Sequence, residues 1–469
     1  MSATVEHRPD SPGRSPTAHD GSHLRPPSAE PGPRGHIGWI VAASLATGLV
    51  VGLLFVAVPF IPAEESKLSG ALLCGFALGW AMLAVLSARF SDQPQRWAAA
   101  PALVMGVGGL LLVGFGAEVQ GVLKWVWPAA LLALVVWMIQ RARRHLRSRS
   151  RRWLLYPVIA MMALAAVGGG YESVRGGLDE QFAMPGQLID VGGHSLHLNC
   201  RGSGSPTVIL EPGGGATSST LAWITPAVAR DTRVCVYDRA GRGWSEPADG
   251  RQDASQIATD LHMLLERGKV PGPYVMAGHS FGGLYVLTFA ARYPEDVAGM
   301  VLVDSTEPGS AATASASPGR EDSDDILGRA SALVSSSARL SFGRLIGQLD
   351  YGSLPPQARD EARASTATAS DIQSTINEYI EASASRDQAA SLRDFGDKPL
   401  FVLTAGSGSD AAWMATQDEL ATLSTNSGHR VVDGATHIDL VTDEHAAAAT
   451  SRAILDVVAS VRSGGPVVR

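Results

Sequence analysis

Five apolar stretches constrain this chain more than anything else in it. They run at about Trp39–Ile61, Leu68–Ala88, Trp97–Val119, Val122–Ile139 and Trp153–Gly170. Each is near the ~20 residues that cross a ~30 Å hydrocarbon core. Backbone N–H and C=O groups in lipid must find partners inside their own segment, so the stretches predict helices. Several carry Trp near an end, as an interfacial belt requires. Residues 36–170 therefore read as an all-α transmembrane domain of about five helices. The tail before them, 1–35, holds seven prolines and few apolar residues, and predicts disorder.

Composition supports the division. Only 18% of the 469 residues are charged, against about 25% in a typical soluble domain. Residues 1–152 hold 15 Lys and Arg against 8 Asp and Glu, a net of +7. The remainder holds 23 against 37, a net of −14. A purely soluble enzyme and a mainly disordered chain are excluded. The overall charge of −7 speaks against a nucleic-acid binder. Arginine placement sets the orientation. Arg8, Arg14, Arg25 and Arg34 lie in the tail, and seven arginines lie in the loop 141–152, from Arg141 to Arg152. The intervening connections alternate between poor and richer in Lys and Arg. The tail and the arginine loop then face the cytoplasm, and everything after about residue 171 lies outside a cell membrane crossed several times. Glu118 is the single acid in or beside a span, which gives a transporter little support.

After a linker, 171–186, the hydrophobic period changes. Strands are predicted at Gln187–Val191, Ser195–Cys200, Thr207–Leu210, Arg233–Tyr237, Tyr274–Ala277, Ala298–Val303, Leu400–Thr404 and Arg430–Val432. Helical patterns fall between most of them. This alternation implies an α/β fold, a mostly parallel sheet with helices on both faces.

The chemical signal is Gly278-His279-Ser280-Phe281-Gly282. In a chain with 51 glycines the bare pentapeptide is weak. Its context is stronger, because it follows a strand and opens a helix. Such a turn pushes the serine hydroxyl out at the top of a sheet. A serine needs a base to act as nucleophile. His437, just past the last strand and before the last helix, is the natural one. His279 sits too close in sequence to serve, and His194, His197, His262 and His429 lie on strands or near helix and strand ends elsewhere. The acid that would orient the base has two candidates. Asp304 ends the sixth strand, and Asp410 lies in the loop after the seventh. Both stand, with the reading inclined to Asp410. Backbone N–H groups of Phe281 and Gly214, in the glycine turn after the third strand, are the candidate oxyanion donors.

Residues 187–469 resemble the alpha/beta-hydrolase fold family. The resemblance rests on the elbow at Ser280, the glycine turn at 213–215, His437, and the segment Tyr237-Asp238-Arg239-Ala240-Gly241-Arg242-Gly243-Trp244-Ser245. It implies an eight-stranded, mostly parallel sheet, with residues 305–395 as a helical lid. It also implies hydrolysis of esters or related acyl bonds. Members that open epoxides or remove halide use a carboxylate as nucleophile, so Ser280 points instead to an acyl-serine route. The family's sheet order makes the second and fourth strands neighbours, which implies a Cys200–Cys235 disulfide on the oxidising side of a membrane. Cys74 falls within a span.

No Cys/His spacing suggests a metal and no cofactor loop is present, so none is expected. The expectation is a membrane-anchored serine hydrolase acting on a small-molecule or lipid-like ester, with the bilayer as partner and no nucleic acid. A peptidase or amidase on the same residues, or a hydrolase-like sensor without turnover, stays open.

Overall fold

The computed structural model describes residues 37–145, 154–179, 182–248, 250–309, 320–347 and 351–468. The tail 1–35 lies outside them, as do Arg147, Arg149, Arg151 and Arg152 of the arginine loop. Among the described residues the N-terminal part holds five α-helices: α1 (Ile37–Ala57), α2 (Glu65–Phe90), α3 (Ala99–Phe115), α4 (Ala117–His145) and α5 (Tyr156–Asp179). Each is part of a segment long and apolar enough to cross a membrane. Their outer faces expose Leu54, Leu110, Val122, Leu164 and Val167, all more than half accessible. Water would not tolerate so continuous an apolar surface.

Two boundaries differ from the sequence reading. Gly116 takes a left-handed φ of 55° and returns its N–H to Leu112, which ends α3 early. The fourth helix then starts at Ala117 and is 29 residues long rather than the 18 or so expected. The last helix continues to Asp179, through half of the expected linker. Ser173 ties this extension to α4 through Lys124 O at 2.6 Å. The α1–α2 contact is made by small residues. A Cβ on Gly75 would stand 2.2 Å from the Gly52 backbone.

The C-terminal part is an eight-stranded sheet in the order β1-β2-β4-β3-β5-β6-β7-β8. The strands are β1 (Gln187–Asp190), β2 (Ser195–Arg201), β3 (Thr207–Glu211), β4 (Val234–Tyr237), β5 (Tyr274–His279), β6 (Val297–Val303), β7 (Leu400–Ala405) and β8 (Ser427–Val432). Only β1 and β2 run antiparallel to their neighbours. The central strands are buried on both faces, which is why they read as unbroken apolar runs. Alternate side chains feed two cores. Ile209, Met276, Met300 and Leu302 meet α7 (Ala254–Arg267) and α8 (Phe281–Arg292). On the other face Val208, Val275, Val301 and Phe401 meet α6 (Ile224–Val228) and α16 (Glu444–Ser463).

Between β6 and β7 lies a helical insertion: α9 (Arg320–Ser335), α10 (Phe342–Gly347), α11 (Pro356–Ser365), α12 (Ala369–Ile380) and α13 (Ala382–Ala389). The helices α14 (Ala411–Ala421) and α15 (Asp439–Thr442) complete the molecule. Cys200 and Cys235 are directly opposed on β2 and β4 and form a disulfide.

Candidate active site

Strand β5 delivers His279 to the carboxyl edge of the sheet, and α8 begins at Phe281. Ser280 joins them with φ 54° and ψ −123°, a conformation that costs a non-glycine residue of order 1–3 kcal/mol. Its neighbours explain how the chain tolerates so sharp a turn. A Cβ on Gly278 would lie 2.4 Å from Gly282 O, and one on Gly282 would lie 2.5 Å from Glu211 O. Both positions admit only glycine. The result is a half-buried serine raised on a strand-to-helix turn.

His437 lies in the loop between β8 and α15. Its Nδ1 is 2.6 Å from Asp304 Oδ2. A carboxylate can only accept, so Nδ1 carries the proton and Nε2 is left as a base. Asp304 Oδ1 also accepts from Ala405 N at 3.1 Å and Trp413 Nε1 at 2.8 Å. Burial opposes ionisation of Asp304, but the hydrogen bonds from His437, Trp413 and Ala405 outweigh it. They hold its carboxyl below the usual range. His279 stands behind the base. Its Nε2 donates to His437 O at 3.0 Å, and the two rings are 4.5 Å apart. Burial first, and then the neighbouring His437, push His279 down to about 3, so it stays neutral.

The inclination to Asp410 is corrected. Its carboxylate accepts from Trp413 N at 2.8 Å and caps the N-terminus of α14. It is exposed, and the His437 ring turns its Nδ1 to Asp304 instead. An aspartate just before Ala-Ala-Trp-Met is a cap signal legible in the sequence.

The glycine turn packs against the elbow. A Cβ on Gly213 would lie 3.2 Å from Ser280 Cβ, and one on Gly214 would lie 3.0 Å from the Phe281 ring. The N–H groups of Gly214 and Phe281 have no protein acceptor among the described residues. Behind the turn is a group that the sequence reading did not find. Buried Arg239 donates to Pro212 O at 2.8 Å and Gly213 O at 2.7 Å. It also pairs with Glu211 and, at 2.7 Å, with Glu378 of α12. Glu378 in turn accepts from Arg242 Nε at 2.9 Å and Gly215 N at 3.0 Å. Burial favours the neutral form of Glu378, yet the two guanidiniums pull it down to about 2. Glu211 is pushed the other way, up to about 7, because burial there exceeds what Arg239 and Tyr237 return. The segment Tyr237–Ser245 offered a sequence signal for this cluster, but nothing in the sequence named Glu378 as its partner.

Among the described residues no group of three or more His, Cys, Asp or Glu could hold a metal ion. The described geometry is that of a serine on a strained elbow, an oriented histidine and a turn offering free N–H groups. A sequence model of the alpha/beta hydrolase fold matches residues 206–444. The chain belongs to the alpha/beta hydrolase fold family. Among curated proteins, this alpha/beta hydrolase is similar to an uncharacterised protein of Schizosaccharomyces pombe. The two are 28% identical over 304 residues, 57% of this chain and 55% of that one. A probable transporter, efuK, of Hormonema carpetanum is 32% identical over 126 residues, 25% of this chain and 18% of the other. The chain thus spans about half or less of the length of these curated relatives. Among solved structures, the enol-lactonase of Burkholderia xenovorans LB400 is 21% identical with a TM-score of 0.44. That likeness covers 58% of this chain and 100% of the lactonase.

Proposed function

We propose that this alpha/beta hydrolase is a membrane-anchored serine hydrolase that cleaves carboxylic esters, with its active site outside the cytoplasmic membrane. The observation that carries the reading is a histidine held at 2.6 Å by Asp304, in a chain whose Ser280 stands on a strained strand-to-helix turn. In this reading Ser280 Oγ attacks the ester carbonyl and His437 Nε2 takes its proton. The tetrahedral oxyanion is met by the N–H groups of Phe281 and Gly214. His437 then protonates the departing alcohol. Water, deprotonated by the same histidine, releases the acyl group. Asp304 keeps Nδ1 protonated and stabilises the imidazolium at each step. The insertion between β6 and β7 acts as the lid, and the substrate is a small-molecule or lipid-like ester.

Five membrane-capable helices support the anchoring, as does a relative named a probable transporter. The arginines at the end of α4 support a cytoplasmic position for that end. The test is labelling of intact cells with a membrane-impermeant fluorophosphonate, wild type against Ser280→Ala. Labelling lost in the variant supports both chemistry and orientation. Labelling that requires lysis overturns the orientation alone. No labelling before or after lysis overturns the hydrolase reading.

A further inference from the structure

The insertion between β6 and β7 is fastened to the helical bundle, and its attachments among the described residues fall on one side of that bundle. Arg329 of α9 is buried and donates to Val56 O at 3.0 Å and Ile61 O at 2.9 Å, where α1 ends. Arg339 grips Glu65, in the first turn of α2, through Nε at 2.9 Å and Nη2 at 2.7 Å. Arg344 makes a two-pronged pair with Glu172 of α5, both bonds 2.8 Å. Ser341 Oγ donates to Gly168 O of the same helix at 2.8 Å. Ala332 of α9 packs with Val56 and Leu68. The end of α1, the start of α2 and the later part of α5 are on the side opposite Arg141, Arg143 and Arg144. On the reading above, that is the outer side.

With α9 seated on α1 and α2 and packed also against α12, the side it leaves open from Ile326 onward is apolar. Ile326 is 66% accessible, Leu327 46% and Val334 54%. Ile326, Ala330 and Val334 follow one another at four-residue steps, a single stripe along the helix. Phe60, in the connection that Arg329 grips, is 83% accessible. A stripe held by its own helix against the ends of membrane-crossing helices lies at the boundary of headgroups and acyl chains. The same insertion reaches Phe281, the residue after the reacting serine. Tyr379 of α12, also exposed, meets the Phe281 ring at a tilt of 52° with centroids 5.2 Å apart.

We propose that α9 rests on the outer leaflet of the bilayer and that the Ser280 site takes long-chain, lipid-borne esters from that leaflet. This rests on the hydrolase reading and adds the substrate class and its route. It also gives the five helices a role: they hold the lid at the membrane surface.

The experiment uses the full chain in phosphatidylcholine vesicles. Hydrolysis of a decanoyl ester dispersed in the bilayer is compared with hydrolysis of a water-soluble acetyl ester of the same alcohol. The variant Ile326→Glu/Val334→Glu changes none of the groups assigned to the reaction, and is expected to lower decanoyl kcat/KM about tenfold while acetyl turnover stays within about twofold. Arg339→Glu is expected to lower the same ratio, and Glu65→Arg placed with it to restore it. Equal loss on both esters, or loss on neither, overturns the proposal. A second readout needs no turnover. A nitroxide on Val334→Cys, in a Cys74→Ser background, should relax with lipid-dissolved oxygen. One on Leu188→Cys of β1 should relax with a water-soluble nickel chelate. A water-like signal at 334 overturns the docking. Failure of both esters with no fluorophosphonate labelling, beside a lipid-like signal at 334, overturns the hydrolase reading and leaves the docking in place.

Discussion

Glu378→Gln is the sharpest perturbation the structure offers. The side chain is fully buried and holds Arg239 at 2.7 Å, Arg242 at 2.9 Å and Gly215 N at 3.0 Å. Glutamine keeps the volume and removes the charge. Its NH₂ must then face a guanidinium or the Gly215 N–H, a donor against a donor. Breaking a buried ion pair from one side costs about 3–5 kcal/mol. Part of this returns, because Arg239 keeps Glu211 and Arg242 keeps Asp371. Burial, aided by the negative charge of Glu378, holds both of those acids up, so they ionise more readily once that charge is gone. The net loss should fall near the lower end, about 3 kcal/mol, or about 5–8 °C in the melting temperature of a domain this size. Gly215 also loses its anchor, so the turn at Gly214 should misalign and kcat fall by about 10–100-fold with KM little changed. The assay is thermal unfolding and ester turnover of the full chain in detergent. Glu307→Gln serves as control, since Glu307 is half exposed and pairs with Arg386 at 3.2 Å on the surface. A Glu378→Gln melting temperature within about 2 °C of that control would refute the argument that this cluster is held by charge.

Three further outcomes are expected. Asp304→Asn should lower kcat on the order of 10³–10⁴-fold, because asparagine favours the wrong histidine tautomer, while Asp410→Asn keeps its cap and leaves turnover unchanged in the same assay. Buried His279 must gain a proton on unfolding, so the stability it contributes is present above pH 6.5 and drains away as pH falls toward 3. About 2 kcal/mol should be gone by pH 5. Glu211, raised to about 7, pulls in the opposite direction between pH 7 and 4.5, so the quantity to measure is the difference between wild type and His279→Gln in denaturant titrations at pH 7.5 and 5. Reducing the Cys200–Cys235 bridge, which spans 35 residues, should cost about 3–4 kcal/mol, read as a lower denaturant midpoint in the presence of reductant.

What the sequence disclosed and what it concealed divide along physical lines. Strands buried on both faces, such as Thr207–Glu211, announce themselves as apolar runs with turn residues beyond. The five helices do so by length and hydropathy. Ser280 was legible because a strand, two glycines and a helix start fall around it. The choice between Asp304 and Asp410 was not, because it depends on where two loops 100 residues apart come to rest. Residues 305–395 were legible as a helical lid only through the family resemblance. The apolar stripe of α9 faces away from the protein, and the insertion is held instead by ion pairs to Arg239, Arg242, Glu65 and Glu172, partners 129 to 274 residues away. One pattern was there to be read: Gly48 and Gly52 on α1 face Gly75 and Gly79 on α2, each pair four residues apart.

The bridge between Cys200 and Cys235 has a consequence beyond stability. It encloses the whole of β3, the strand that carries the chain to the glycine turn, within a covalent ring fastened across the edge of the sheet. Thiols in the cytosol are kept reduced, whereas those on the far side of the membrane oxidise. On the proposed orientation, with the sheet outside the cytoplasmic membrane, the pair becomes a built-in recorder of passage. A closed ring would then mark a molecule that has been across, and two thiols still open to an alkylating agent one that has not. Counting the two populations in a living culture would time export strand by strand, without adding a tag to either end of the chain.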